Sequence, residues 1–285
     1  MASRANALRY YVLSRLMLAP LMIWTITTVV FLLMRATPGD PVDALLGPRA
    51  PIEAKEALRS QLGLDKPLFF QYLDYLGHLL SFDLGSSIAS QGQTVWQIIG
   101  DHFPATVELT FCGLTVAAVV GITVGSIAAS RPNTPIDAGG RLFGILTYAT
   151  PMYWFGMILQ LVFAVQLRWF PIGTRFPLIA TPPAGPTGLY LMDSLLQGNL
   201  NQFGTTLYHL ALPSLTLGIL ISGVFERMVR VNLKQTLRAD YVEAARARGI
   251  SEFRIITVHA LKKALIPVIT ILGLPFASQL GGTVL

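Results

Sequence analysis

The 285 residues are 53% hydrophobic and only 13% charged, with a formal net charge of +6 and a mean hydropathy of +0.57. Ordinary globular domains carry about 25% charged residues, so the composition excludes a typical water-soluble domain and points to an integral membrane protein. The excess of bases is better explained by membrane orientation than by nucleic acid, which is not an expected partner.

Arg4, Arg9 and Arg15 precede the uncharged run Leu16–Met34. This run is too long for a signal-peptide core and continues into Thr-Pro-Gly-Asp-Pro rather than a small-x-small cleavage site. It reads as a retained first span, with the N-terminus in the cytoplasm; residues 1–35 form this segment. Residues 36–104 form an external loop with eight acids against four bases. Within it, Pro51 to Leu64 reads as a short helix ended near Gly63, and Pro67 to Leu80 as a second one bearing an aromatic and leucine stripe. The stripe suits packing on the membrane or on neighbouring spans better than a ligand box.

Residues 105–285 hold the remaining spans. Leu109–Ala129, with Glu108 at its edge, contains Gly121 and Gly125 in a small-xxx-small pattern shared with Ala117 and Ala129, the mark of close helix packing within the chain. The single cysteine, Cys112, lies in this run; it allows no disulfide within the chain, suggests no metal site and reads as a small buried hydrophobe. Leu142–Leu167 is interrupted by Pro151, which predicts a kinked helix. Residues 168–206 form a Pro/Gly-rich external loop whose Leu189–Leu200 portion is too short to span. Leu210–Phe225 is the fourth span, preceded by His209, read as a packing residue at the membrane edge. From Glu226 to Lys263 nine bases face four acids, which marks this loop as cytoplasmic. Ala264 begins a fifth span containing Pro267 and Pro275.

The most polar interruption, Asp240 to Pro267, has the pattern of two short helices joined at a bend. Asp240 and Glu243 form an Asp-x-x-Glu pair that predicts a capping box. Gly249 stands where a left-handed residue closes a helix, and Ser251 with Glu252 opens the next. Arg246, Arg248 and Arg254 are presented for an acidic or polar cleft on a soluble partner.

Glu243-Ala244-Ala245, three residues and then Gly249 resemble the EAA motif of membrane subunits of ABC importers. The stretch from Asp240 to Val268 is similar to the dipeptide/oligopeptide permeases in particular. The Pro-Gly-Asp-Pro, Leu-Gly-Leu-Asp-Lys-Pro-Leu and Phe-Asp-Leu-Gly fragments of the first external loop and the His-Leu-x-Leu-Pro fragment at 209–213 resemble the same group. The broader superfamily continues Ile-x-Leu-Pro ten residues after the glycine; here His259, Ala260, Leu261 and Lys262 occupy those places, a variant the peptide permeases share. The resemblance implies an all-α polytopic membrane helical bundle of the type I ABC importer permease fold. It implies five spans in this sequence and a sixth missing beyond Leu285, so that the chain is expected to be truncated.

The resemblance also implies a transport subunit rather than an enzyme: a pore-forming, multi-pass subunit in a bacterial inner membrane. Its expected partners are a second permease subunit, two ABC ATPase subunits holding ATP and Mg, an external solute-binding protein and the lipid bilayer. Residues 226–263 become the coupling loop. Asp240, Glu243, Ala244, Ala245, Arg246, Arg248, Gly249, Ser251 and Arg254 are its expected contacts with the ATPases, Glu243 pairing with a base and Ala244 and Ala245 allowing close approach. The sequence has no Gly-x-x-x-x-Gly-Lys-Ser/Thr phosphate loop of its own, and its apolar runs contain no acid or base of the kind ion-coupled carriers keep at the midplane. An ion-coupled secondary transporter or channel subunit is the alternative, and a membrane scaffold for a soluble complex a third reading.

Overall fold

A computed structural model describes residues 2–37, 39–87 and 92–282. Pro38 of the predicted turn, the side chain of Arg4 and the terminal Thr-Val-Leu lie outside the described residues. The chain divides into two compact units, Met1–Ile98 and Ile99–Leu285.

In the first unit α1 (Ala2–Ala36) is followed by α2 (Pro41–Leu46), α3 (Ile52–Gln61) and α4 (Leu68–Leu80). Asp40 caps α2 by accepting from the Val42 amide at 3.0 Å. Gly63, after α3, takes a φ of +63°, as the predicted helix end requires. The stripe of α4 splits in two. Tyr72 and Tyr75 pack on buried Phe31 of α1 with ring centres 5.3 and 5.5 Å apart, and the Tyr72 hydroxyl meets Thr28 Oγ1 at 2.6 Å. Leu68, Phe69 and Phe70 remain exposed.

The second unit is built around α9 (Leu200–Thr236). Against it pack α6 (Pro135–Ala149), α7 (Met152–Gln166, π-wound over Gln160–Gln166), α8 (Tyr190–Leu196) and α11 (Glu252–Gly281, π-wound over Ile255–Ala260). Helix α5 (Val95–Ser130) joins through its glycine face. A Cβ on Gly121 would stand 2.4 Å from Phe225 Cβ, and one on Gly125 would stand 2.7 Å from the Glu226 carbonyl oxygen. The predicted small-residue face is therefore a backbone contact between α5 and α9. Leu114, Ala117, Phe225, Val229 and Val268 close the core beside it.

Among the described residues, four helices are long and apolar enough to cross a membrane: Arg9–Ala36, Val95–Ser130, Leu200–Thr236 and Glu252–Gly281. Helices α6 and α7 meet the same test only as a pair, bent by 101°. Counted as one broken span, the pair brings the candidate spans of this polytopic all-helical bundle to five. The kink predicted at Pro151 is instead a full break. Thr150 is driven into an extended conformation (ψ 125°) by the proline after it, and Pro151 becomes the N-cap of α7. Helices α5 and α9 also outrun their apolar cores, at 36 and 37 residues. At ~1.5 Å per residue each exceeds the ~30 Å hydrocarbon layer, and its polar turns lie beyond the apolar run.

Candidate functional site

Helix α9 hands the chain to α10 (Asp240–Ala247) through one turn, held by Leu237 N to Leu233 O at 2.9 Å and Ala239 N to Thr236 O at 3.1 Å. The start of α10 differs from the predicted box. Ala239 is the N-cap, with φ −80° and ψ 146° and no side-chain bond. Its carbonyl accepts from the Val242 and Glu243 amides at 2.8 and 3.3 Å. Asp240 is thus already inside the helix, one position too far along for its carboxylate to bond the free amides, and the Asp240–Glu243 capping pair does not form. Both acids stay in the first turn, where the helix dipole favours them. Ser251 does hold the N-cap position before α11, also without a side-chain bond.

The bend itself follows the sequence. Gly249 has a φ of +75°, its amide donates to Arg246 O at 2.9 Å, and the Ile250 amide donates to Ala245 O at 3.2 Å. This is a Schellman closure. Below it Val242, Ala245 and Ile255 form a small core covered by Leu237, Tyr241 and Ile250. Successive helical residues point about 100° apart, so Ala244 is exposed while Ala245 is turned into that core. Burial pushes the Tyr241 phenol above its usual pKa, and Lys263 Nζ lies 3.9 Å from the ring centre.

Arg246, expected to face a partner, is engaged within the chain. Its Nε donates to Glu252 Oε1 at 2.5 Å and its Nη2 to Glu252 Oε2 at 3.3 Å, a forked pair that ties α10 to α11 across the bend. The pair is solvent-exposed, so Arg246→Ala should lower stability by less than about 1 kcal/mol in thermal melts. Asp240, Glu243, Arg248, Ser251 and Arg254 are exposed. Phe253, which sequence reasoning passed over, is 78% exposed between Glu252 and Arg254. Its signal was an aromatic residue outside the apolar runs, directly after a helix start.

Two buried charge clusters were also missed. Where α6 crosses α9, Glu226, Arg230 and Lys234 follow one face of α9 at four-residue spacing. Arg230 Nε donates to Glu226 Oε1 at 2.8 Å. Lys234 Nζ donates to Asp137 Oδ2 of α6 at 2.9 Å, and Arg230 Nη1 stands 3.6 Å from Asp137 Oδ1. Glu226 and Asp137 are each 1% exposed. Gly144 makes room, since a Cβ there would lie 2.8 Å from Glu226 Oε2.

The second cluster pins the segment between α7 and α9. Arg175 donates from Nε and Nη2 to Glu108 Oε2 at 3.2 and 2.8 Å, and from Nη2 to Gly188 O at 2.8 Å. Glu108 Oε1 accepts from the Leu191 amide at 2.5 Å, and the Arg175 guanidinium stacks 3.7 Å from the centre of the Tyr190 ring. His209 is a packing residue, stacked on Phe176 with its Nδ1 3.1 Å from Thr174 O.

Residues 121–285 match the family described as "Binding-protein-dependent transport system inner membrane component", and residues 8–110 match the N-terminal region of such membrane components. The Di/tripeptide transport system permease protein DppB of Pseudomonas aeruginosa is 40% identical over 91% of this chain and 77% of its own length. The Probable D,D-dipeptide transport system permease protein DdpB of Escherichia coli is 38% identical over 91% and 76%. The Dipeptide transport system permease protein DppB of Alkalihalophilus pseudofirmus is 32% identical over 96% and 82%. With a two-part family match along its length and several membrane-crossing helices gathered on α9, the chain belongs to the multi-pass permease subunits of binding-protein-dependent ABC importers.

Proposed function

We propose that the chain is the pore-forming subunit of an ATP-driven importer of peptides or similar small solutes. It works with a second permease subunit, two ATPase subunits that hold ATP and Mg, and an external solute-binding protein. The N-terminus and residues 226–263 lie in the cytoplasm, in keeping with nine bases against four acids there. The peptide cargo rests on the names of the relatives. Nucleotide chemistry is left to the ATPases.

The observation that carries this reading is the closed bend of α10 and α11. It packs on its own small core and offers Asp240, Glu243, Ala244, Arg248, Ser251, Arg254 and Phe253 outward. A preformed helical bend of this kind is a handle that a soluble partner can grip and move as one body. Glu243 pairs with a base of the ATPase, Arg248 and Arg254 contact the rim of its cleft, and Phe253 supplies an apolar anchor. Ala245, turned inward, and Arg246, paired with Glu252 across the bend, hold the handle's shape.

Gly249→Val tests this. No neighbour lies within 4 Å of a Cβ there, so the cost is purely conformational, about 1–2 kcal/mol for a side chain held at positive φ. In proteoliposomes holding the assembled complex, uptake of radiolabelled dialanine should fall about tenfold while ATP hydrolysis persists, and Gly249→Asn, which tolerates positive φ, should stay within about twofold of wild type. Normal uptake by the valine variant removes the handle role.

An ion-driven carrier is the competing reading, and buried Glu226 and Asp137 are the residues it would use. Both are occupied by Arg230 and Lys234. Uptake that persists without any ATPase partner would favour that alternative.

A further inference from the structure

Asp137 is paired unequally. Its Oδ2 accepts from Lys234 Nζ at 2.9 Å and from the Asn133 amide at 3.3 Å. Its Oδ1 is buried with no hydrogen-bond partner, although Arg230 Nη1 waits at 3.6 Å. A buried carboxylate oxygen left unsatisfied is costly, and closing the gap to Arg230 needs a movement of only about 1 Å to reach ordinary charge-assisted bonding. Arg230 and Lys234 are one helical turn apart on α9, a rise of about 6 Å. The carboxylate of α6 therefore lies between two cations on successive turns, bonded to one and within reach of the other.

The surfaces around it are built of small residues. Gly140 and Gly144 of α6 face Ala128, Gly223 and Glu226, with the Gly144 carbonyl oxygen 3.1 Å from the place a Gly223 Cβ would take. The Glu226 carboxylate is seated against Gly140 and Gly144 and the Thr147 hydroxyl against Gly223, so a shift of one helix on the other has to carry these two groups with it. An open pocket of about 720 Å³, with Tyr148, Val224, Met228 and Arg230 in its lining, adjoins the ladder.

We propose that Asp137 is a positioning residue for transport, exchanging Lys234 for Arg230 as α9 slides and so passing the movement of the handle to α6. Exchange keeps the buried charge paired throughout, and the two pairings define two discrete registers, as in other stepwise helix shifts. This rests on the reading that an ATPase moves the α10–α11 bend.

The test uses the assembled complex in proteoliposomes, with dialanine uptake and ATP hydrolysis measured in the same vesicles. Asp137→Asn should leave hydrolysis within about twofold and lower uptake per ATP at least fivefold, with Asp137→Glu recovering most of it. Arg230→Gln, made beside Glu226→Gln so that no carboxylate is stranded, separates this from a simple brace. A brace on Lys234 keeps its uptake per ATP, whereas an exchanging site loses its second partner and with it the coupling. An unchanged ratio in Asp137→Asn, or in the Arg230→Gln variant, overturns the proposal. Should Asp137→Asn fail to assemble, the wild-type ladder is followed directly. With Cys112→Ser and nitroxide labels at exposed Ile136 and Val231, trapping the ATP state should shift the label distance, and a distance that stays fixed overturns the exchange. Uptake independent of ATP would instead remove the transport reading beneath it.

Discussion

Gly121→Val should be one of the two most damaging single substitutions in the second unit. The new Cβ would meet Phe225 Cβ at 2.4 Å, the Ser222 carbonyl oxygen at 2.6 Å and the Glu226 amide nitrogen at 3.0 Å. Two of these are backbone atoms, which no rotamer change can move aside, so α5 and α9 have to part along several turns. Parting them opens the core of Leu114, Ala117, Phe225, Val229 and Val268, and in lipid that lost dispersion is not returned by a hydrophobic driving force. Overpacking typically costs 1–3 kcal/mol, and an obstruction made of backbone belongs at the top of about that range. Cys112, the single cysteine and half-buried on α5, reports unfolding through a thiol-reactive dye. The melting midpoint should fall by roughly 5–10 °C. Gly139→Ala, with no neighbour within 4 Å, should leave it nearly unchanged, and equal melting of the two variants would refute the tight contact.

Glu108→Ala should cost at least as much. It strands Arg175, whose side chain is only 21% exposed, and removes the acceptor of the Leu191 amide. Breaking a buried pair from one side costs about 3–5 kcal/mol, several times the loss expected at exposed Arg246. Glu108→Gln, which keeps an acceptor but no charge, should fall between. Removing both partners, Glu108→Ala with Arg175→Met, should be milder than Glu108→Ala alone, because no unpaired guanidinium is left behind. Melting curves of the four proteins decide it, and a double variant no better than the single one speaks against the clamp.

How legible these features were depended on the range of the interactions. The spans could be read because hydropathy is a local average, and Gly249 because a left-handed residue is set by its own backbone. The capping box failed by one position: Asp240 and Glu243 satisfy the pattern, yet the turn from α9 lets Ala239 take the cap. Arg246 and Glu252 are six residues apart across a bend, a spacing that no helical periodicity marks, so Arg246 looked available for a partner. Asp137 and Lys234 meet only once α6 has folded onto α9. Glu108 and Glu226 sit at the edges of apolar runs, where a charge resembles an interfacial anchor. Pro151 announced a disturbance, but its angle depends on packing against α9.

Helix α9 runs unbroken from Leu200 to Thr236, about 55 Å at the usual rise, and touches α5 through glycines near its middle. With α6, α7, α8 and α11 also packed against it, such a rod moves as one piece. A rocking of about 5° displaces each tip by roughly 2 Å in opposite senses over that length. A nudge at the Lys234 end is then felt near Asn199 as part of the same rigid displacement.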